Sequence, residues 1–331
     1  MTSGGVLEAM LASIRHRGPD DEGFHLLSFN QGRSAAHRPG ASLPAGMDAG
    51  FGFARLSIQD LSEAGHQPMA SRDCGVVLVF NGEIYNAGEL REALQARGLE
   101  FCGHSDTEVV LRLYEEFGWE TMLARIEGMF AIAIADVKAG VLRVARDPFG
   151  IKPLYHTLLE DGTLLIASEM KAFLQHPGFR AELATEHLAE QLMFRYTAWD
   201  RTLLRRVYQL PPGHVMMWRP GGAQAIQRYW TLPDAAEMPG APEERVRQAL
   251  RRAVCSQLVS DVPLGTQLSG GIDSSLITLE AARGGGETRH SFSIVFGDPQ
   301  FSEDVWITEA ARKAGVHSHR YLFGPKQFGE D

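Results

Sequence analysis

The sequence predicts two folds in succession: a layered α+β domain with antiparallel sheets, then an α/β domain with a doubly wound parallel sheet. Three observations carry this. Residues 129–136 alternate Phe130, Ile132 and Ile134 with Ala131, Ala133 and Ala135, and Lys138-Ala139-Gly140 then turns into a second apolar run, 141–145, as in a hairpin. Beyond residue 243 helical and strand patterns alternate, as in a parallel sheet with helical crossovers. Between the two, residues 231–242 (TLPDAAEMPGAP) hold three prolines and read as a linker. At roughly 150 residues per domain, 331 residues suit two domains. They divide as 1–195, a connecting segment 196–242, and 243–331.

Residues 6–14 read as a helix leading into the polar turn Arg15-His16-Arg17-Gly18-Pro19-Asp20. Residues 55–58 (Arg55, Leu56, Ser57, Ile58) read as a strand carrying one cation, and 75–80 as a buried strand followed by Asn81-Gly82-Glu83. Ser105-Asp106-Thr107-Glu108 has the form of a capping box. It opens a helix with Val109, Val110, Leu113, Tyr114 and Phe117 on one face. Residues 146–155 (RDPFGIKPLY) form a turn with both charges, Leu164–Ala167 a short strand, and Leu210-Pro211-Pro212-Gly213-His214 a turn before a strand at 215–218. In the second half, 243–260 is amphipathic through Val246, Leu250, Val254 and Leu258. A strand at 262–268, a helix at 276–283, a strand at His290–Phe296 and a helix at Asp304–Ala314 follow.

Composition narrows the function. Hydrophobic residues are 44% and charged residues 22%, as in ordinary globular domains, and the formal charge of −9 gives no reason to expect nucleic acid as a partner. The longest apolar runs, 76–80 and 130–135, fall far short of the roughly 20 residues of a membrane helix. The first 25 residues show no signal-peptide core. Cys74, Cys102 and Cys255 are few, widely spaced and odd in number, which fits a reducing cytoplasm and argues against structural zinc; Cys74 and Cys102 read as small buried residues.

The most informative segment is 268–275 (LSGGIDSS), between an apolar strand and an apolar helix. Free backbone amides at a helix start suit a phosphate, two glycines let it approach, and three serines add donors. Asp273 makes sense there if a divalent cation lies between carboxylate and phosphate. No lysine follows the glycines, so this is not a Walker loop. The segment resembles the pyrophosphate loop of ATP pyrophosphatase domains. That resemblance implies that Ser269, Gly270, Gly271, Asp273, Ser274 and Ser275 hold the phosphates of ATP and Mg2+, with Leu268 and Ile294 near the adenine.

Taken together and in order, the first-half segments and this loop resemble a class II glutamine amidotransferase domain fused to an asparagine synthetase domain. The likeness extends over essentially all of the chain. It implies an N-terminal-nucleophile hydrolase-like αββα sandwich in the first half. It also implies roles: Arg55 pairs the α-carboxylate of glutamine, Asp106 and Glu83 take its amino end, and Leu56, Ser57 and Ile58 line the site. The Asn81 side chain and Gly82 N–H would form the oxyanion hole, a device worth ~2.7–4 kcal/mol per donor. The implied reaction converts aspartate, glutamine and ATP to asparagine and glutamate through β-aspartyl-AMP, releasing AMP and pyrophosphate. The implied setting is cytoplasmic, with small-molecule substrates and a homodimer as an allowed assembly.

One element of that family is missing. Its nucleophile is an N-terminal cysteine exposed by removal of Met; here the chain begins Met1-Thr2-Ser3. Fourteen residues precede Arg15, too few for a nucleophile-bearing strand as well as the helix. The expectation is therefore a chain shortened at both ends, without glutaminase activity of its own, since only about two strand–helix units fit after Ser269 where a doubly wound sheet has about five or six strands. Related enzymes with another acceptor, including β-lactam synthetase-like ones, and a non-catalytic binding fragment stay open as alternatives.

Overall fold

The computed structural model describes residues 4–42, 44–234, 241–284, 290–298 and 300–324. They form two compact units, Met1–Asp234 and Ala235–Asp331.

In the first unit the chain runs α1 (Gly4–Ser13), β1 (Asp21–Ser28), β2 (Arg33–His37), β3 (Ala49–Arg55), β4 (Met69–Ala70), β5 (Val76–Ile84), α2 (Ala87–Gln95) and α3 (Asp106–Arg125). It continues with β6 (Gly128–Asp136), β7 (Val141–Arg146), β8 (Tyr155–Leu158), β9 (Leu164–Ala167), α4 (Leu188–Phe194), β10 (Tyr208–Gln209), β11 (His214–Trp218) and β12 (Ala225–Arg228). An antiparallel six-stranded sheet of order β12-β11-β7-β6-β5-β4 is central, and two three-stranded sheets, β2-β1-β3 and β10-β8-β9, accompany it.

The alternation in β6 shows how the layers form. Phe130, Ile132 and Ile134 pack with Val109, Val110 and Leu113 of α3 in one core. Ala131, Ala133 and Ala135 face Leu27, Phe51, Leu164 and Ile166 of the smaller sheets in a second. Large side chains fill the space beside a cylinder; small ones let sheet approach sheet. Outside the small sheets, α1 closes on β3, where Gly50 leaves room for Leu7, and Met10 packs with Leu165 and Phe173. Helix, sheet, sheet and helix are thus stacked, the expected layered order.

Several expectations need correction. Asn81, Gly82 and Glu83 do not follow the buried strand but lie within β5, because β6 pairs with it through Ile84. Leu56, Ser57 and Ile58 are not strand: β3 ends at Arg55, whose guanidinium turns into the following loop. Ser105 caps α3 by accepting from Glu108 N–H, but the Glu108 carboxylate accepts from Cys102 and Gly103 N–H, so the reciprocal half of the box points into the preceding turn. Cys74 and Cys102 are exposed, since each sits in a turn. Much of the expected connector belongs to the first unit, where β10 pairs with β8 and β11 with β7. Of the expected linker, residues 235–240 lie outside the described residues.

The second unit comprises α5 (Pro242–Ser256), β13 (Gly265–Gln267), α6 (Ile272–Arg283), β14 (His290–Phe296), α7 (Asp304–Ala314) and β15 (His317–Phe323). The strand at 262–268 is shorter than expected, the helix at 243–260 stops at Ser256, and β15 was not anticipated. The three strands are parallel in the order β13-β14-β15. A strand order that never reverses, with crossovers of one hand, puts α6 and α7 on the same face. Among the described residues the sheet is therefore wound on one side only, not doubly. Leu268 and Val295 pack under Ile307, Ala310 and Ala311 of α7, while Phe292, Ile294 and Phe296 point away and are exposed. No helix among the described residues is long and apolar enough to cross a membrane.

Candidate functional site

The first unit encloses a cavity of about 740 Å³. One end is polar, and the strand edge of β5 builds it. Gln67 donates to Phe80 C=O (3.1 Å) and accepts from Phe80 N–H (2.7 Å), and Asp106 accepts from Ile84 N–H (2.9 Å). Gly82 lies between these two residues in the same alternation, so its N–H faces the same edge. On the other edge, Asp147 takes both peptide groups of Phe130, the residue opposite Gly82. Gly82 is glycine for a packing reason as well: a Cβ would stand 2.1 Å from Met129 O. Next to it, Asn81 Nδ2 is buried and has no hydrogen-bond partner among the described residues. A buried amide N–H left unpaired costs ~1–3 kcal/mol, so it is a donor ready for an acceptor in the cavity.

Two carboxylates reach this end. Burial pushes Asp106 up to about 6, against the pull of the Ile84 and Thr107 N–H groups, and the Glu83 charge adds to the rise. Burial also raises Glu83, which Lys152 opposes. Carboxylates held above their ordinary range favour a cation beside them. Arg55, Leu56 and Ile58 also line the cavity. The Arg55 guanidinium is buried and donates to the carbonyls of Ser62 (3.3 Å), Gln59 (3.1 Å) and Asp60, bracing the loop after β3. It can close there because residue 65 is glycine. Five N–H donors against three carbonyls leave capacity for a further acceptor. Ser57 differs from its neighbours: its N–H is taken by Asp20 (2.8 Å), and it is not part of the cavity wall.

Sequence reasoning missed Gln67, Thr107 and Lys152, which also line this end. Lys152 is placed by the 146–155 turn, whose two charges Arg146 and Asp147 are buried. Arg146 donates to the carbonyls of Gly150, Lys152 and Leu210, and Asp147 accepts from the N–H groups of Phe149, Ile151 and Lys152. Charged pairs at a turn with Pro148 and Gly150 were a readable hint of a rigid loop. Nothing in the spacing pointed to Gln67. No cysteine is among the residues lining the cavity, and Thr2 lies outside the described residues.

In the second unit, residues 268–271 join β13 to α6. Gly270 takes φ +92°, and a Cβ there would press on Glu303 and Trp306 of the neighbouring segment at 3.1–3.2 Å. The serines order the loop: Ser269 Oγ and Ser274 Oγ lie 3.0 Å apart, and Ser274 Oγ also receives Ser269 N–H (3.2 Å) and donates to Gly271 C=O (3.2 Å). No side chain caps α6, so its first amides stay open to an acceptor. Asp273 is exposed in the first turn, beside Ser274 and Ser275. One carboxylate is a donor set Mg2+ accepts when phosphate oxygens and water complete the shell; no group of three metal-binding side chains exists among the described residues. Leu268 and Ile294 are not brought together: Leu268 is 1% exposed under α7, and Ile294 is 60% exposed on the opposite face of the sheet.

Comparison with known proteins bears on both units. Residues 2–230 match the glutamine amidotransferase domain family, and residues 245–331 match the asparagine synthase family. The chain is 35% identical over 326 residues to asparagine synthetase [glutamine-hydrolyzing] 1 of Bacillus subtilis, covering 98% of this chain and 48% of that protein. It is 35% identical over 278 residues to amidase chyE of Penicillium rubens, covering 82% and 37%. The chain thus spans about half the length of the curated relatives it matches. Among solved structures, glutamine phosphoribosylpyrophosphate amidotransferase from B. subtilis aligns with a TM-score of 0.52 at 17% identity, covering 96% of this chain and 78% of that one, a likeness of fold.

Proposed function

Because the chain belongs to the family that joins a class II glutamine amidotransferase domain to an asparagine synthase domain, that of the glutamine-hydrolysing asparagine synthetases, we propose that its first unit binds free glutamine and its second binds ATP. Both serve an ATP-dependent transfer of the glutamine amide nitrogen to a carboxylate. The observation that carries the reading is the unpartnered Asn81 Nδ2 beside Gly82, in a cavity whose carboxylates are held above their usual range.

In this reading the glutamine α-ammonium sits against Asp106 and Glu83, and its α-carboxylate takes the remaining Arg55 donors. Leu56 and Ile58 bound the site, and the Ser57 backbone fixes the turn. The side-chain amide oxygen points at Asn81 Nδ2 and Gly82 N–H. Such donors aimed at a developing oxyanion stabilise the tetrahedral intermediate by ~2.7–4 kcal/mol each. Among the described residues the cavity wall offers binding and electrostatics for glutamine and carries no cysteine.

In the second unit, Ser269, Gly270, Gly271, Ser274 and Ser275 and the open amides of α6 receive the ATP phosphates, with Mg2+ held through Asp273. Of the two residues expected near the adenine, Leu268 follows β13 and is buried, and Ile294 lies on the exposed face of β14. The acceptor is the β-carboxylate of aspartate: its oxygen attacks the α-phosphorus, pyrophosphate leaves, and ammonia then displaces AMP. The similarity to a protein named an amidase favours one second reading, the same chemistry on another carboxylate.

Isothermal titration tests the first half. Glutamine should bind at millimolar concentration and glutamate more weakly, and Asp106→Asn should weaken glutamine at least tenfold; no binding, or binding indifferent to that change, overturns the site. For the second half, ATP should protect residues around α6 from hydrogen exchange, and Gly270→Val should abolish protection.

A further inference from the structure

The two charged ends of the candidate glutamine site come from separate loops. Arg55 opens the loop after β3, and Asp106 opens α3 after the turn at residues 102–105. A residue outside the cavity wall joins them. Asp60 is 0% exposed and takes φ +54°, a left-handed conformation seldom held by residues other than Gly, Asn and Asp.

Its backbone serves one end. Asp60 C=O accepts from the Arg55 guanidinium, and residue 65 must be small there, because a Cβ on Gly65 would stand 2.6 Å from Asp60 O. Its side chain serves the other end. Oδ1 stays within its own loop and accepts from the Ser62 N–H (3.2 Å) and hydroxyl (2.5 Å). Oδ2 crosses to the turn before α3 and accepts from His104 N–H (2.7 Å), with the His104 imidazole 3.6 Å away. Gly103 permits that approach: a Cβ on it would stand 2.1 Å from Oδ2.

The same turn is anchored to both helices. Arg91 of α2 donates to the carbonyls of Gly103 (2.7 Å) and Ser105 (2.9 Å), and Glu108 of α3 accepts from Cys102 and Gly103 N–H. Ser105, between His104 and Asp106, caps α3. A shift at His104 is therefore passed to Asp106. Burial would push the Asp60 carboxyl up, but the bonds from Ser62 and His104 outweigh it and hold the group below the ordinary carboxylate range. Asp60 thus stays an acceptor on both oxygens where Asp106 titrates.

We propose that Asp60 is a positioning residue that fixes the Arg55 guanidinium relative to the Asp106 carboxylate, so that the polar end prefers an amino acid carrying its ammonium and carboxylate on one carbon. The nature of the bound molecule rests on the glutamine reading; the tie between the loops does not. Charge-assisted bonds from two segments to one carboxylate are short and directional, which suits a spacer.

The test uses the full chain with Asp60→Asn and, separately, Gly103→Ala. Asparagine keeps the size and tolerates positive φ, but its Nδ2 must face the donors of either Ser62 or His104. Gly103→Ala keeps every hydrogen-bonding group and wedges the loops apart; if Asp60→Asn does not fold, this variant decides. The first readout needs no ligand. Ile84 N–H donates to Asp106 (2.9 Å), so its hydrogen exchange reports whether that carboxylate is seated. Both variants should speed Ile84 exchange at least tenfold while Ile134, in the middle of β6, is unchanged. The second readout is a titration followed by nuclear magnetic resonance. Each variant should weaken glutamine at least tenfold, about 1.4 kcal/mol, and bring its preference over β-homoglutamine from above tenfold to below threefold. Combining either with Asp106→Asn should cost no more than a further twofold, as for residues that act as a unit. Ile84 exchange that does not respond, an unchanged preference, or losses that add overturns the positioning role. If the parent chain binds neither amino acid while Ile84 responds, the glutamine reading falls and the tie between the loops stands.

Discussion

Asp106 concentrates the chemistry of the first unit in one carboxyl group. Its value of about 6 lies above the ~3.9 of an unfolded chain, so between these values the folded protein holds a proton that the unfolded chain has lost. Stability from this group is full below about pH 4 and is lost as pH rises through 6, on the order of 2–3 kcal/mol in all. Asp106→Asn should therefore melt higher than the parent at pH 8, with the gap closing by pH 4, as calorimetry across that range would show. Glutamine affinity should move oppositely, falling about tenfold per unit below pH 6, because the ammonium needs the ionised carboxylate. The cysteines make a second prediction at this scale. Cys74 and Cys102, exposed in turns, should react with a thiol reagent in the native state within minutes, and the half-buried Cys255 more slowly. The composition favoured burial because cysteine is usually buried; Cys74, at φ +54° in the turn after Ser71, shows local geometry overriding that tendency.

Elements were legible where one face of a segment met a different neighbour from the other. β6 could be read because helix lies on one side and sheet on the other, and α3 because its apolar face is continuous from Val109 to Tyr114. β1 escaped notice: six consecutive residues, from Gly23 to Ser28, are buried, so no alternation survives. β15 escaped for the contrary reason, being mostly exposed with four polar residues at its start. Of the residues lining the cavity, Asn81, Gly82, Glu83 and Asp106 were singled out because their types and order resemble a family's; Gln67 was not, since its work is a pair of bonds to the backbone N–H and C=O of Phe80. The cap of α3 can be measured directly. Ser105→Ala removes the acceptor of Glu108 N–H and should cost ~1 kcal/mol in denaturant unfolding. It should do so without changing the slope of the transition.

On the scale of the whole molecule, the two units differ in how completely they cover their sheets. The first buries both faces of its central sheet. The second leaves one face with Phe292, Ile294, Phe296 and Tyr321 between 43% and 60% exposed. A contiguous apolar patch of this kind drives association. The chain should bind a hydrophobic dye and self-associate with rising concentration in sedimentation experiments. Ile294→Lys with Phe292→Ser should reduce both while leaving helical content intact.

Among the described residues β3 and β9 are each the open edge of a three-stranded sheet, which bears on this tendency in a different way. An open strand edge on a protein surface invites any passing sheet to stack against it, which is how many aggregates begin. Here both edges line a recess of about 740 Å³, with Leu7, Met10 and Leu11 of α1 in its wall, rather than the outer surface. A folded neighbour, however sticky, presents a sheet too thick to enter. The recess thus works as a size filter on hydrogen bonding: a finished protein cannot reach the strand edges inside it.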